Sequence, residues 1–129
     1  MSVDYLKYVN IKQGTKSTKR FSNGNTLPLV QLPFGFSSFA PQTDSERGAW
    51  FYHSDDMSFE GIRLTHQPSP WIMDHGALVI CPQSEKPYAD ADLRWSSFDN
   101  AESVLMPHYM RYCLNRGKTK VELTPTEYG

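Results

Sequence analysis

The residues best suited to chemistry lie close together in the segment GIRLTHQPSPWIMDHGALVICP, positions 61–82. Its central loop holds two imidazoles, an indole and a carboxylate, at His66, His75, Trp71 and Asp74. Pro68 and Pro70 restrict their own φ angles and favour extended conformations in the residues before them, so the loop is predicted to be stiff. Function tends to reside on loops held by a rigid scaffold. Two interpretations stay open: the loop forms a site, or Trp71 is a hydrophobic plug and the histidines are ordinary loop residues.

Other arrangements that support catalysis or metal binding are not visible in the sequence. The four histidines, at 53, 66, 75 and 108, lack the spacing of a helical zinc motif, and no CxxC accompanies them. Asp55 and Asp56 are adjacent and are interpreted as turn residues rather than a catalytic pair. GxSxG, P-loop and dinucleotide fingerprints do not occur. We therefore expect a β domain with a site-bearing loop, without catalytic residues or metal ligands of its own.

Two apolar runs flank and position this loop. Gly61–Thr65 alternates apolar and polar residues, which predicts a half-buried strand. Ala77–Cys81 is continuously apolar, which predicts a strand buried on both faces. Cys81 and Cys113 both lie in apolar strand-like runs, so we expect them to be reduced thiols packed in the core.

The clearest local pattern is at the end of the chain. His108–Leu114 and Lys118–Thr124 alternate in period two, and Asn115–Gly117 joins them. This pattern predicts a β-hairpin with an apolar inner face and a charged outer face. Upstream, Ala49–His53 is rich in aromatic residues and predicts another strand.

The remaining segments also favour short strands over helices. Residues 1–10 are predicted to form a short helix or strand, and prolines at 28, 33 and 41 break residues 26–42 into short strands and turns. A polar segment of about 20 residues follows Pro82, which is long for a loop in a compact domain. Leu93, Trp95 and Phe98 are its candidate anchors. Since no long segment has helical periodicity, the sequence predicts a mainly antiparallel β fold.

Size and composition restrict the class of protein further. The chain has 129 residues, which fits a single domain, and its net charge of -1 predicts no nucleic-acid or membrane partner. Its start has no signal-peptide core, so a cytoplasmic location is expected. The chain ends directly after a predicted strand, at TPTEYG, which predicts a fragment of a larger unit.

Several short motifs, in the same order along the chain, resemble those of glycoside hydrolase family 92, the bacterial exo-acting α-mannosidases. The matching positions are Val9–Asn10, Gly14–Thr15, Gly24–Pro28, Leu32–Gly35, Gly61, Thr65–His66, Asp74, Gly76, Leu123–Thr124 and Thr126–Glu127. The sequence departs from the family pattern at Ile11–Gln13, Leu29 and His75, which indicates a divergent branch.

The resemblance implies a fold for this chain and a separate domain for catalysis. It implies that residues 1–129 form one β domain, part of a larger N-terminal β-sandwich of the galactose-mutarotase-like supersandwich type, with little helix. A helical-barrel catalytic domain follows in the family, and it carries the general acid, the general base and the ligands of a calcium ion. The parent enzymes remove terminal α-linked mannose with inversion. This chain alone is therefore expected to be inactive and to hold no cofactor.

The resemblance also implies a site and partners. The N-terminal domain of the family helps to form the sugar pocket, so Trp71 is the expected stacking platform for mannose, with His66 and Asp74 as hydrogen-bonding partners. Expected partners are a mannose-containing glycan and the chain's own catalytic domain. Uncovered sheet edges also predict self-association of the isolated chain. The alternatives are a stand-alone β-sandwich that binds carbohydrate or protein without catalysis, and a purely structural fragment.

Overall fold

The computed structural model describes residues 4–16, 26–43, 52–66, 76–84 and 86–128. The elements in these ranges are mostly short antiparallel strands. The strands are β1 (Ser38–Thr43), β2 (Ser58–Thr65), β3 (Leu78–Ile80), β4 (Ser96–Ser97), β5 (Val104–Met106), β6 (Tyr109–Leu114) and β7 (Thr119–Leu123). The helical elements are α1 (Ala91–Arg94) and two 3-10 turns, Leu6–Tyr8 and Arg116–Lys118. The mainly antiparallel β fold predicted from the sequence is confirmed.

The first sheet is centred on β2. β1, β3 and β4 all pair with it in antiparallel register. Thr43 pairs with Phe59 and Gln42 pairs with Gly61, so Glu60 is an extra residue that forms a β-bulge. Phe59 and Ile62 are three positions apart and would face opposite sides of a regular strand. Because of the bulge, both belong to the same buried cluster.

The second sheet contains the hairpin predicted from the sequence. β6 pairs with β7 from Met110 opposite Leu123 to Leu114 opposite Thr119, and β5 pairs on the other side of β6. Gly117, with φ 61°, lies in the connection between the two strands. The inner face of β6 is buried, and the outer face carries the charged side chains, as predicted.

The core lies between the two sheets, which together form a β-sandwich. The Tyr112 ring lies 4.8 Å from the Phe59 ring and 4.9 Å from the Phe98 ring, measured between centroids. Phe98 also forms a bridge with Leu114, so the segment around β4 links the two layers. Phe98 thus anchors the polar segment after Pro82, whereas the other two candidate anchors, Leu93 and Trp95, are exposed.

The burial predicted for β3 is wrong. Leu78 and Ile80 are 52% and 47% exposed. They lie opposite Leu64 and Ile62, on the face that carries the core, but among the described strands β3 pairs only with β2. The second sheet does not cover this edge, so an apolar run that is typical of a doubly buried strand forms a half-exposed one.

Smaller differences concern the cysteines and two short segments. Cys113 pairs with Lys120 on the charged face of the hairpin, and Cys81 lies in a polar cleft, so both thiols are partly exposed rather than packed in the core. Tyr52 and His53 are not in a strand, while the rest of the aromatic run 49–53 lies outside the described residues. The predicted element in residues 1–10 is the 3-10 turn Leu6–Tyr8.

Candidate functional site

The loop predicted to carry the site connects β2 to β3. The pairing of Leu64 with Leu78 brings its two ends together, and the Ala77 N–H donates to the Leu64 carbonyl at 2.9 Å. The chain thus leaves and re-enters the sheet on neighbouring strands at one end. Residues 67–75, which include Trp71, Asp74 and His75, lie outside the described residues.

His66 is the one predicted substrate-binding residue within the described ranges. It is exposed at the end of β2. Its ring meets the Phe36 ring edge to face, with centroids 6.0 Å apart and an interplanar angle of 75°. Phe36 precedes β1, whose first residue, Ser38, pairs with Thr65. The imidazole therefore stands beside an aromatic ring at the end of the sheet from which the loop leaves.

Sequence reasoning missed this aromatic surface. Phe36 is 82% exposed, and Phe34 is fully exposed with a left-handed φ of 64°. The Gly35 N–H donates to the Leu32 carbonyl at 2.9 Å, which closes a tight turn around Phe34. A bulky residue with positive φ is a true outlier, and such strain concentrates at functional sites. The sequence signal for this surface is the pair Phe34 and Phe36, on either side of Gly35. Pro33 starts a turn at this point, and a turn cannot easily bury both rings.

Gly76, the first described residue after the loop, lies against Arg63. Its φ is 63°, and a Cβ at this position would lie 2.6 Å from Arg63 Cδ. Arg63 Nε in turn donates to Gln42 Oε1 at 2.9 Å, and Gln42 Nε2 donates to Glu60 Oε2 at 2.7 Å. The loop exit is therefore fixed in two ways. Position 76 suits only glycine, because its φ is left-handed and a Cβ would collide with Arg63. Arg63 is itself held by Gln42 of β1, which contacts Glu60 of β2.

The adjacent carboxylates 55 and 56 form a turn, as predicted. The Asp56 N–H donates to the His53 carbonyl at 3.0 Å, and the buried Asp56 carboxylate accepts from Thr43 Oγ1 at 2.5 Å. Asp55 points outward and pairs with Lys16 Nζ at 2.7 Å, a hydrogen bond that lowers the pKa of Asp55. Each carboxylate is thus committed to a structural contact.

Tyr52, beside this turn, is a buried tyrosine that is 4% exposed. Burial raises the pKa of Tyr52 to about 12, and the charges of Asp56 and Asp55 add to the rise. Its hydroxyl has no hydrogen-bond partner within the described part of the chain. A neutral phenol in this position packs as an aromatic side chain and does not act as a base.

Two general observations concern the described ranges only. No group of three or more histidine, cysteine, aspartate or glutamate side chains there could hold a metal ion. No helix there is long and apolar enough to span a membrane. The expectation that calcium ligands of the parent family lie outside this chain stays a prediction, as does the cytoplasmic location.

The antiparallel β-sandwich agrees with the class of protein that comparison with known families gives. The chain belongs to the glycosyl hydrolase family 92 N-terminal domain, whose profile matches residues 8–128. Among solved structures, the inverting family 92 mannosidase BT2199 from Bacteroides thetaiotaomicron is similar, with 33% identity and a TM-score of 0.81. The match covers 98% of this chain and 17% of that chain.

Two further structures share the fold. The family 92 α-mannosidase BT3965 from Bacteroides thetaiotaomicron, solved in complex with mannoimidazole, has 25% identity and a TM-score of 0.75 over 92% of this chain and 16% of that chain. The family 92 glycosyl hydrolase ccman5 has 18% identity and a TM-score of 0.78 over 96% of this chain and 18% of that chain. The chain thus spans less than a fifth of these relatives. A search of curated proteins gave no match.

Proposed function

We propose that this chain is the N-terminal, non-catalytic part of an exo-acting, inverting α-mannosidase and supplies scaffold and part of the mannose pocket. In this proposal the loop between β2 and β3 faces the sugar, with Trp71 as the stacking platform and His66 and Asp74 as hydrogen-bonding partners. The general acid, the general base and a calcium ion belong to a catalytic domain elsewhere in the full-length enzyme. The expected ligand is the terminal mannose of a glycan.

The position of His66 is the observation that carries the proposal. Its imidazole is exposed at the sheet end from which the loop departs, and it stands beside the exposed Phe36 ring. An aromatic face packs against the C–H face of a sugar ring, while imidazole and carboxylate groups bind its hydroxyls. The mannoimidazole complex of the relative BT3965 adds support for a mannose-like ligand.

The assignment of catalysis to another domain has a chemical reason. Inversion requires two carboxyl groups far enough apart to admit a water molecule, one as acid and one as base. The neighbouring Asp55 and Asp56 are engaged in a turn, by Lys16 and Thr43 respectively. The alternative, a stand-alone binding module, also needs no catalytic pair, and it would bind sugar without a catalytic domain.

Steady-state kinetics of the full-length enzyme carrying Trp71→Ala test the proposal. Loss of a stacking platform is expected to lower kcat/KM towards an α-mannoside about tenfold or more, because aromatic packing is worth on the order of 1 kcal/mol beyond area burial. His66→Ala is expected to have a smaller effect in the same direction. Tyr5→Ala, which removes an exposed ring outside the loop, is the matched control and should leave the kinetics unchanged.

The results separate the two functions. If the full-length enzyme is active and both loop variants keep its kinetics, a mannose-facing loop is contradicted. A saturable sugar response by the 129-residue chain, together with no mannosidase activity in the full-length protein, would favour the stand-alone binding module.

A further inference from the structure

A second concave site lies on the face of the first sheet opposite the core. Its volume is about 210 Å³. The side chains that the argument uses come from β1, β2 and the segment around α1: Gln42, Glu60, Arg63, Asp92, Arg94 and Trp95. None of these residues was a candidate ligand-binding residue in the sequence, since they are spread over 54 positions and the fold brings them together.

The charges around this cleft balance. Arg63 and Arg94 provide two guanidinium groups, and Glu60 and Asp92 provide two carboxylates. A site for a phosphate or a carboxylate would present an excess of positive charge, because burial of an anion requires pairing. The balance favours a neutral ligand that can both donate and accept hydrogen bonds.

One wall of the cleft is organised in advance. Gln42 Oε1 accepts from both Nε and a terminal nitrogen of Arg63, and Gln42 Nε2 donates to Glu60 Oε2 at 2.7 Å. These contacts hold an amide, a guanidinium and a carboxylate side by side on neighbouring strands. Fixed polar groups reduce the ordering cost of binding and give a ligand directional partners.

An indole adds an apolar surface to the polar wall. Trp95 directly follows α1 and is 43% exposed. The Arg116 guanidinium lies 6.0 Å from the centre of the Trp95 ring. The backbone N–H of Arg116 donates to Ser96 Oγ at 3.0 Å. The indole is therefore held against the hairpin connection while it contributes to the cleft. An aromatic surface beside several planar polar groups suits a molecule with both C–H faces and hydroxyls.

The volume restricts the size of the ligand. Pockets for drug-sized ligands measure about 300–1,000 Å³, and this cleft is smaller. We propose that the cleft between β1–β2 and Trp95 binds one neutral pyranose unit, with the indole against the ring and the Gln42–Glu60–Arg63 wall on its hydroxyls. The named lining of the cleft lies within the described residues, and the assignment does not rest on the proposed role of the β2–β3 loop.

NMR titration of the ¹⁵N-labelled 129-residue chain tests this assignment. The probes are the methyl α-D-pyranosides of mannose, glucose and galactose, with sodium phosphate at matched ionic strength. At least one pyranoside is expected to shift the Trp95 indole N–H signal saturably, and phosphate is not. In Trp95→Ala, followed through the backbone amides of Ala91–Arg94, the affinity for that pyranoside should fall about tenfold.

Further variants separate this site from the others. Arg94→Met keeps side-chain length and the Trp95 reporter, so its weaker binding would support the cleft independently. Tyr128→Ala is the matched aromatic control and should bind as the parent chain does. The assignment is overturned if no pyranoside saturates, if phosphate saturates the same signals, or if binding survives in Trp95→Ala and is lost in Trp71→Ala. The last result would place the sugar at the loop and so would not count against the proposed function.

Discussion

The β6–β7 hairpin and the β2–β3 pair are both antiparallel and both begin from apolar sequence patterns, yet they are buried differently. Met110 and Tyr112 on the inner face of β6 are 0% exposed, whereas Leu78 on the inner face of β3 is 52% exposed. The hairpin lies over β2, and no described strand lies over β3. The comparison teaches that an apolar pattern specifies which face turns inward, while the opposite layer decides whether that face is covered.

The polar faces of the two regions differ as well. On the hairpin, Glu122 accepts a hydrogen bond from Tyr109 and pairs with Lys120 Nζ at 3.0 Å, so the charges satisfy one another at the surface. On the first sheet, Arg63 and Glu60 converge on a concave site. Similar residue types thus form a solvated face in one region and a binding surface in the other.

The largest expected loss of stability comes from truncating the inner face of the hairpin, and a truncation on the inner face of β3 is the comparison. Tyr112→Ala removes a ring that packs between Phe59 and Phe98, so it should lower the free energy of unfolding by about 3–5 kcal/mol. Leu78→Ala should cost less than about 1 kcal/mol, because half of that side chain is already in water. Urea unfolding of the 129-residue chain measures both, and equal losses would contradict the difference in burial.

A smaller effect is expected at the loop exit. Gly76→Ala places a Cβ in a left-handed conformation and against Arg63, which should cost about 2 kcal/mol. In an Arg63→Ala background the steric conflict is removed and only the backbone strain of about 1 kcal/mol should remain. A double-mutant cycle from urea unfolding gives the coupling energy between the two positions. A coupling energy of zero would show that the close contact does not restrict the loop.

The smallest expected change in stability at neutral pH comes from substitution of Tyr52. The same substitution should have a clear effect on stability at alkaline pH. Its folded pKa of about 12 exceeds the ordinary value of 10.0, so the associated stability is present below pH 10 and is lost as the pH rises towards 12. Tyr52→Phe should leave stability at pH 7 unchanged or slightly higher, since the hydroxyl lacks a described partner. It should also remove about 1.4 kcal/mol of the stability lost between pH 8 and pH 11.

Urea midpoints at pH 8 and pH 11 measure this difference. The pKa of the buried Tyr112 in the hairpin is also raised, mainly by burial, so part of the alkaline loss should persist in Tyr52→Phe. Tyr5→Phe, a change at an exposed position, is the control and should retain the full loss. If Tyr52→Phe loses as much stability between pH 8 and pH 11 as the control does, the role of Tyr52 is contradicted.

The sequence predicted the parts of the fold that depend on local patterns. The hairpin followed from strict alternation on both sides of Asn115–Gly117, and β2 followed from the alternation in Gly61–Thr65. The exposure of β3 could not be predicted, because it depends on which strands lie opposite. The bulge at Glu60 has no signal in the pattern of apolar residues.

The predicted site residues stay predictions, and only one of them, His66, lies within the described residues. His66 lies at the sheet end expected of a loop residue, while the predicted roles of Trp71 and Asp74 stay predictions because both lie outside the described residues. Phe36 was missed because its contact with His66 joins residues 30 positions apart. The sequence predicts Trp95 as an anchor, because spacing does not distinguish an indole that packs inward from one that lines a cleft.

The single additional residue in β2 has a consequence for how this protein tolerates change in length. Removal of Glu60 would leave Phe59 opposite Thr43 and Gly61 opposite Gln42, and Phe59 and Ile62 would then be two positions apart, as residues on one face of a regular strand are. Insertion of a residue between Gly61 and Ile62 would instead turn over the rest of the strand, so that Ile62 faced the cleft and the guanidinium of Arg63 entered the hydrocarbon interior. A change of length in this strand is therefore harmless only where a bulge absorbs it, and residue 60 is such a place.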